Sequence, residues 1–311
     1  MESKVVVIVG PTCSGKTLLA LELTELLNSE IISADSRQIY KYLNIGTAKP
    51  DVSQLRRVNH HFIDILFPNE NFNASSFEVQ SIEIIKGLHE ENKIPVVAGG
   101  SGLYIKAMID GIIDVEDSDP SIREKLMKER EEFGNEFLFN KLKIVDSVSA
   151  STMLHQNWKR VIRALEVFEQ TGKKISQIHS EQERNLNISF VQYGLMWNRD
   201  LLYRNIEERV DKMISKGLVE ETQEVLNKGY KSDSNSLNTV GYKEIISYLN
   251  GEIDLERAIE LIKRNTRRYA KRQLTWFRKD NRIKWLDINN EDDIIKSVKM
   301  IYNEINRKES I

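Results

Sequence analysis

The sequence predicts an α/β fold: a parallel β-sheet with flanking helices, into which an all-helical domain is inserted. Three observations predict it. Short apolar runs rich in β-branched residues alternate with helical stretches over residues 1–110. Strand-like patterning then stops, and residues 111–185 show only helical periodicity. A strand pattern returns at Ser189–Met196 and again at Ile283–Leu286. Alternating strands and helices favour a parallel sheet covered on both faces. The expected division is a core of residues 1–110 and 186–311, with 111–185 as the insertion.

Taken in order, Val5-Val6-Val7-Ile8-Val9 is a fully apolar, β-branched run and is expected as a buried parallel strand. A glycine-rich loop follows, then a helix over Leu18–Asn28. Glu30–Ala34 is expected as the second strand, Phe62–Leu66 as the third, Ala74–Asn92 as a helix and Ile94–Ala98 as the fourth strand. Ser118-Asp119-Pro120 marks the first inserted helix, because proline suits the first helical position. After the returning strand, helices are expected at about 199–228, 243–250 and 254–278, and a last one after Leu286. Gly229–Asn238, rich in Ser, Asn and Asp, is expected as a loop.

The 311-residue chain has ordinary apolar and charged fractions for a soluble protein. No run approaches a membrane span, no secretory signal is evident, and the single cysteine, Cys13, excludes an internal disulfide. A cytoplasmic protein is expected. The net charge of −2 gives no global hint of an acidic partner, but its distribution does. Between Lys263 and Lys284 lie ten basic residues and one acid, Asp280, interleaved with Tyr269, Trp276 and Phe277. Such a stripe suits a polyanion; the alternative is a helix with an aromatic face inward and a wet basic face. Trp158, His60, His61, His155 and His179 have no metal-ligand spacing and are expected to be structural or surface residues.

Gly10-Pro11-Thr12-Cys13-Ser14-Gly15-Lys16-Thr17 completes the spacing G-x-x-x-x-G-K-[ST] between a strand and a helix. Glycines allow backbone N–H groups to turn around an anion, and the helix N-terminus adds its positive end. Lys16 supplies a mobile charge and the Thr17 hydroxyl is suited to Mg²⁺. This is a P-loop NTPase-like signature, although the loop by itself does not say which polyphosphate it holds. The acid at a strand end is Asp35, after the second strand. It fits a base facing the phosphate loop across the sheet edge, and equally a helix N-cap. On these residues alone a kinase acting on a small hydroxyl remains open.

Longer segments carry a resemblance. Ile32-Ser33-Ala34-Asp35-Ser36-Arg37-Gln38-Ile39-Tyr40, Ile45-Gly46-Thr47-Ala48-Lys49-Pro50 and Gly99-Gly100-Ser101-Gly102-Leu103-Tyr104 follow the phosphate loop. Arg163-Ala164-Leu165-Glu166-Val167, Val240-Gly241-Tyr242 and Ala270-Lys271-Arg272-Gln273-Leu274-Thr275-Trp276 come later. In content and order these resemble the bacterial-type tRNA dimethylallyltransferase (tRNA isopentenyltransferase) family, over most of the chain.

The resemblance implies transfer of a dimethylallyl group from dimethylallyl diphosphate to N6 of the adenosine 3′-adjacent to the anticodon, position 37, in tRNAs reading codons that begin with U. The products are N6-isopentenyladenosine and diphosphate. The loop would then hold the leaving diphosphate, helped by Mg²⁺ on Thr17 and by Lys16. Asp35 would take the N6 proton, and Ser101, threonine in many members, would orient the base or the diphosphate. The target base has to leave the anticodon-loop stack. Arg209 is an implied diphosphate contact; members often carry Arg-Ile-x-x-Arg there, and Asn205 stands in the first of those positions.

Contacts to the tRNA anticodon stem-loop are implied for Asp35, Ser36, Arg37, Gln38 and Ser101, for Arg123, for Lys159, Arg160, Val161, Ile162 and Arg163, and for Asn238, Thr239, Val240, Gly241, Tyr242 and Lys243. A monomer is expected. One cysteine excludes the Cys₂His₂ zinc module that some larger relatives carry. Beside the kinase, an adenylate isopentenyltransferase is a rival. The helical insertion and basic stripe disfavour it, since a mononucleotide needs no such surface. A non-enzymatic RNA-binding or nucleotide-sensing module is a third, and the intact Lys16, Thr17 and Asp35 argue against it.

Overall fold

A computed structural model describes residues 3–112, 119–181 and 186–307 of the chain. Ser118 and the side chain of His179 lie outside the described residues. The chain divides into two compact units, Met1–Ile109 with Asn187–Ile311, and Asp110–Leu186. No described helix is long and apolar enough to cross a membrane.

The first unit is built on a six-stranded, all-parallel sheet of order β3-β2-β4-β1-β5-β6. The strands are β1 (Ser3–Val9), β2 (Ile31–Ser33), β3 (His60–His61), β4 (Val96–Gly99), β5 (Ile188–Trp197) and β6 (Lys284–Ile288). The all-apolar β1 is central because it is covered on both faces: Val5 to Val9 are all 0% exposed. It lies between β4 and β5, with Val6 opposite Val96 on one side and Val191 on the other.

Helices α1 (Lys16–Leu26), α2 (Val52–Arg57), α3 (Ala74–Glu90) and α4 (Gly102–Asp110) belong to its N-terminal part. The short α2 and α4 escape apolar periodicity; α2 is signalled instead by the Asp51/Gln54 capping box.

One expectation is corrected here. Phe62–Leu66 is not a strand. The strand is the preceding pair His60–His61, because Phe62 and Asp64 adopt left-handed φ of 62° and 56°. Phe62 turns into an aromatic cluster with Phe72 and Phe77, and Leu66 keeps only a single parallel bridge to Tyr40. The stretch 199–228 is two helices.

The second unit holds α5 (Pro120–Val145), α6 (Ser147–Ser151), α7 (Trp158–Thr171) and α8 (Ile175–Glu181). Asp119 caps α5 and Pro120 follows it, as the sequence suggests; Gly134, at φ 87°, kinks the helix. Leu126, Leu138, Leu142, Val161, Ile162 and Leu165 form its core. Asp146, 1% exposed, joins α6 to α8. Burial alone would raise its carboxyl, but hydrogen bonds from the amides and hydroxyls of Ser149 and Ser176 hold it at about 2.

The remaining helices of the first unit are α9 (Arg199–Ser215), α10 (Leu218–Asn227), α11 (Tyr242–Leu249), α12 (Leu255–Phe277) and α13 (Glu291–Asn306). Gly217, at φ 95°, separates α9 from α10.

Candidate active site

The phosphate loop joins the end of β1 to the start of α1. Its turn depends on left-handed backbone at Cys13 (φ 63°) and Gly15 (φ 87°). Lys16 Nζ folds back to donate to the Pro11 carbonyl at 2.7 Å. Arg209 on α9 reaches the loop, its Nη1 lying 3.4 Å from both Thr12 Oγ1 and Cys13 Sγ.

Two cations therefore converge on one loop. Burial first, and then the Arg209 charge, lowers the Lys16 ammonium to about 8, against the opposing pull of Asp35 and Cys13. Thr17 is exposed at the first turn of α1. Not every residue of the motif can offer its side chain. Ser14 is fully buried and its Oγ has no partner among the described residues, and Pro11 has no N–H, so those two frame the loop.

Across the sheet edge, Asp35 follows β2. Its Oδ1 accepts the Arg37 N–H at 2.8 Å and the Gln38 N–H at 3.3 Å. No helix follows β2 directly, so the helix-cap alternative is corrected: Oδ1 closes a turn, and no donor among the described residues takes Oδ2. Ser101 follows β4. Its N–H donates to Ala34 O at 3.1 Å and its Oγ accepts the Ser36 N–H at 2.9 Å. A cavity of about 630 Å³ includes the loop, Lys16, Asp35, Gly100, Arg209 and Tyr269 in its wall. Burial, and then Asp35, pushes the Tyr269 hydroxyl up to about 12.

Gln38 and Arg37 are held within the protein. Gln38 Nε2 donates to the carbonyls of Thr47 and Ala48, and Arg37 donates to Asn235 O at 2.5 Å. This ties Asp35 to the Ile45–Pro50 segment.

Two residues outside the expected site complete the cradle: Trp197, which no motif includes, and Gln273, which lies in the Ala270–Trp276 segment without an expected role. Trp197, at the end of β5, donates Nε1–H to Ser14 O at 2.9 Å. Gln273 on α12 accepts the Thr12 N–H at 2.8 Å and donates to Gly100 O at 2.9 Å. Glycine at position 100 is a further signal for the second contact, since a Cβ there would lie 2.2 Å from Gln273 Nε2.

Around 238–243, Asn238 and Lys243 are exposed and Thr239 and Val240 half-buried. The expectation that Tyr242 touches RNA is corrected. Its side chain is 0% exposed, its ring lies against Gly46, and its hydroxyl donates to Glu221 at 2.6 Å. Gly241 is likewise buried. The same Glu221 carboxylate accepts the amides of Asn44, Ile45 and Gly46.

The basic stripe is not uniform. Lys263 and Arg267 pair with Asp211 and Glu207, and Phe277 is buried. Arg268, Lys271, Arg272 and Lys279 surround part-exposed Trp276 in a separate groove of about 370 Å³.

In the second unit, Lys159 and Arg160 are exposed on the first turn of α7. Val161 and Ile162 are 0% exposed core residues, which corrects the expectation that their side chains reach RNA. Glu166, 4% exposed, gathers two of the expected arginines: Arg123 Nη1 at 3.0 Å and Arg163 Nη1 at 3.8 Å.

Residues 38–280 match the family model described as IPP transferase. The chain belongs to this family. The tRNA dimethylallyltransferase of Acetivibrio thermocellus is 45% identical over 302 residues, covering 95% of this chain and 96% of that protein. The full-length tRNA isopentenylpyrophosphate transferase of Bacillus halodurans, a solved structure, is 37% identical, with 97% of each chain covered and a TM-score of 0.71. A eukaryotic dimethylallyltransferase described as acting on tRNA is 27% identical, with a TM-score of 0.85, covering 99% of this chain and 81% of that one. Like these relatives, the chain is a transferase with the parallel-sheet fold described above.

Proposed function

We propose that the chain is a tRNA dimethylallyltransferase. It moves a dimethylallyl group from its diphosphate to N6 of the adenosine 3′-adjacent to the anticodon, position 37, in tRNAs reading codons that begin with U, and releases diphosphate. It works as a monomer in the cytoplasm. The observation that carries this is one cavity with two unlike walls. One wall is a cationic phosphate loop with Lys16 and Arg209; the other is Asp35, with one carboxylate oxygen uncommitted.

The chemistry follows from that pairing. The allylic C1–O bond breaks as negative charge develops on the departing diphosphate, where the loop amides, Lys16 and Arg209 stabilise it. The N6–C1 bond forms as Oδ2 of Asp35 accepts the N6 proton, raising the reactivity of a weak nucleophile. Ser101 holds the Asp35 turn through the Ser36 N–H and keeps its hydroxyl proton free to donate.

The exposed Thr17 hydroxyl at the start of α1 fits a hard cation. Among the described residues there is no group of three or more His, Cys, Asp or Glu able to hold a metal by themselves. An Mg²⁺ held at Thr17 would neutralise leaving-group charge. Lys159, Arg160, Arg123 and Arg163 supply a cationic surface for the RNA backbone.

The test is transfer of label. Incubation with unmodified tRNA and C1-labelled dimethylallyl diphosphate is expected to put label into RNA. With γ-labelled ATP in its place, no label enters any acceptor. Label transfer from ATP alone would favour the kinase instead.

A further inference from the structure

We propose that Gln273 is a positioning residue that fixes the leaving diphosphate relative to Asp35; the proposal rests on the transfer reaction above. Gln273 is 6% exposed and lies 261 residues from Thr12 in the sequence. Its amide makes one bond to each wall of the cavity. Oε1 accepts the Thr12 N–H of the phosphate loop, and Nε2 donates to Gly100 O at the end of β4.

Each bond continues into the site. Thr12 Oγ1 meets the Arg209 guanidinium. Gly100 precedes Ser101, whose hydroxyl holds the Ser36 N–H beside Asp35. The bridge therefore connects Arg209, Thr12, Gln273, Gly100, Ser101 and Asp35 through named contacts. It also commits the Thr12 N–H to Gln273, which leaves the later amides of the loop to face the anion.

Only a side chain with a donor and an acceptor on one planar group can make both bonds. Methionine has the length and lacks both, leaving a buried N–H and a buried C=O without partners. A carboxylate keeps the acceptor but sets negative charge against the Gly100 carbonyl. A protonated carboxyl restores both functions, because its O–H can donate to Gly100 O while its C=O accepts from Thr12. Burial raises the pKa of such a group, so it becomes neutral at mildly acidic pH.

The experiment compares wild type, Gln273→Met and Gln273→Glu as full-length proteins. For Gln273→Met, kcat is expected to fall by about tenfold or more and KM for dimethylallyl diphosphate to rise, with tRNA affinity unchanged. For Gln273→Glu, the ratio of its kcat/KM to that of wild type is expected to rise by about fivefold or more between pH 8.5 and pH 6. Wild-type kcat and KM in Gln273→Met would overturn the proposal. So would a pH-independent ratio for Gln273→Glu, which would reduce the residue to bulk packing. If wild type transfers nothing from dimethylallyl diphosphate, the transfer reaction fails and not the clamp. Mg²⁺–pyrophosphate binding then decides the clamp: weaker binding by Gln273→Met supports it and equal binding rejects it. Should Gln273→Met not fold, the pH-dependent ratio for Gln273→Glu decides alone.

Discussion

Ser101 Oγ accepts the Ser36 N–H at 2.9 Å, which joins the end of β4 to the turn that carries Asp35. The turn is then held from both sides, by Ser101 and by Oδ1 of Asp35 itself, and only Oδ2 is left to meet a substrate. Asp35→Asn preserves the turn, because an amide oxygen can still accept the Arg37 and Gln38 N–H groups, but it removes the base. Diphosphate and tRNA binding are expected to persist while kcat falls by about 10²-fold or more. A loss of less than about tenfold in single-turnover assays rejects Asp35 as the base.

The hydroxyl at 101 is expected to matter more than the residue that bears it. Ser101→Ala leaves the Ser36 N–H without its acceptor and frees the Asp35 turn, lowering kcat by about tenfold. Ser101→Thr keeps the acceptor and is expected to stay close to wild type. Equal kcat in Ser101→Ala and wild type would remove Ser101 from the mechanism.

Diphosphate affinity is expected to depend on pH through Lys16. In the free protein its ammonium is lowered to about 8 by burial and Arg209, below the ordinary lysine value. A bound diphosphate favours the charged form, so its pKa rises on binding and a proton is taken up wherever the free lysine is neutral. Affinity is therefore full below about pH 7 and falls as pH rises through 8, by up to about tenfold per unit. The terminal phosphate of dimethylallyl diphosphate ionises near pH ~6 and does not mask this. Calorimetric titration without tRNA, in buffers of different ionisation enthalpy, should report proton uptake at pH 9. Affinity that is flat between pH 7 and 9.5 argues against a titrating Lys16.

Tyr242 is expected to act on stability and not on RNA. Tyr242→Phe removes the bond to Glu221 while leaving the three amides of Asn44, Ile45 and Gly46 on that carboxylate. Unfolding free energy should drop by about 1.5 kcal/mol, read from denaturant midpoints. The tRNA Kd should stay within about twofold of wild type. A large rise in Kd without loss of stability would return Tyr242 to the RNA surface.

Much of this was legible in the sequence where the chemistry is local. The phosphate loop is eight consecutive residues whose glycines and lysine dictate one conformation, and Asp35 stands directly after an apolar strand. The alternation of strands and helices also carried the sheet and the helical insertion. What stayed hidden is non-local or depends on a single torsion. Trp197 and Gln273 hold the loop across separations of 183 and 261 residues, and no periodicity records such a pairing. Phe62–Leu66 has a strand's apolar pattern, yet left-handed backbone at Phe62 and Asp64 breaks it, driven by the aromatic cluster around Phe62. In residues 159–163, resemblance marks a segment, while helical geometry separates the exposed Lys159 and Arg160 from the buried Val161 and Ile162.

In the proposed reaction the loop from Gly10 to Thr17 holds a leaving diphosphate whose partner nucleophile arrives on RNA. Its most direct test counts both products in one reaction without ATP: pyrophosphate released, and N6-dimethylallyladenosine recovered by nucleoside analysis of the tRNA. Equal amounts of the two are expected, with no inorganic phosphate formed. Modification that requires ATP, or pyrophosphate released without any modified adenosine, would contradict it.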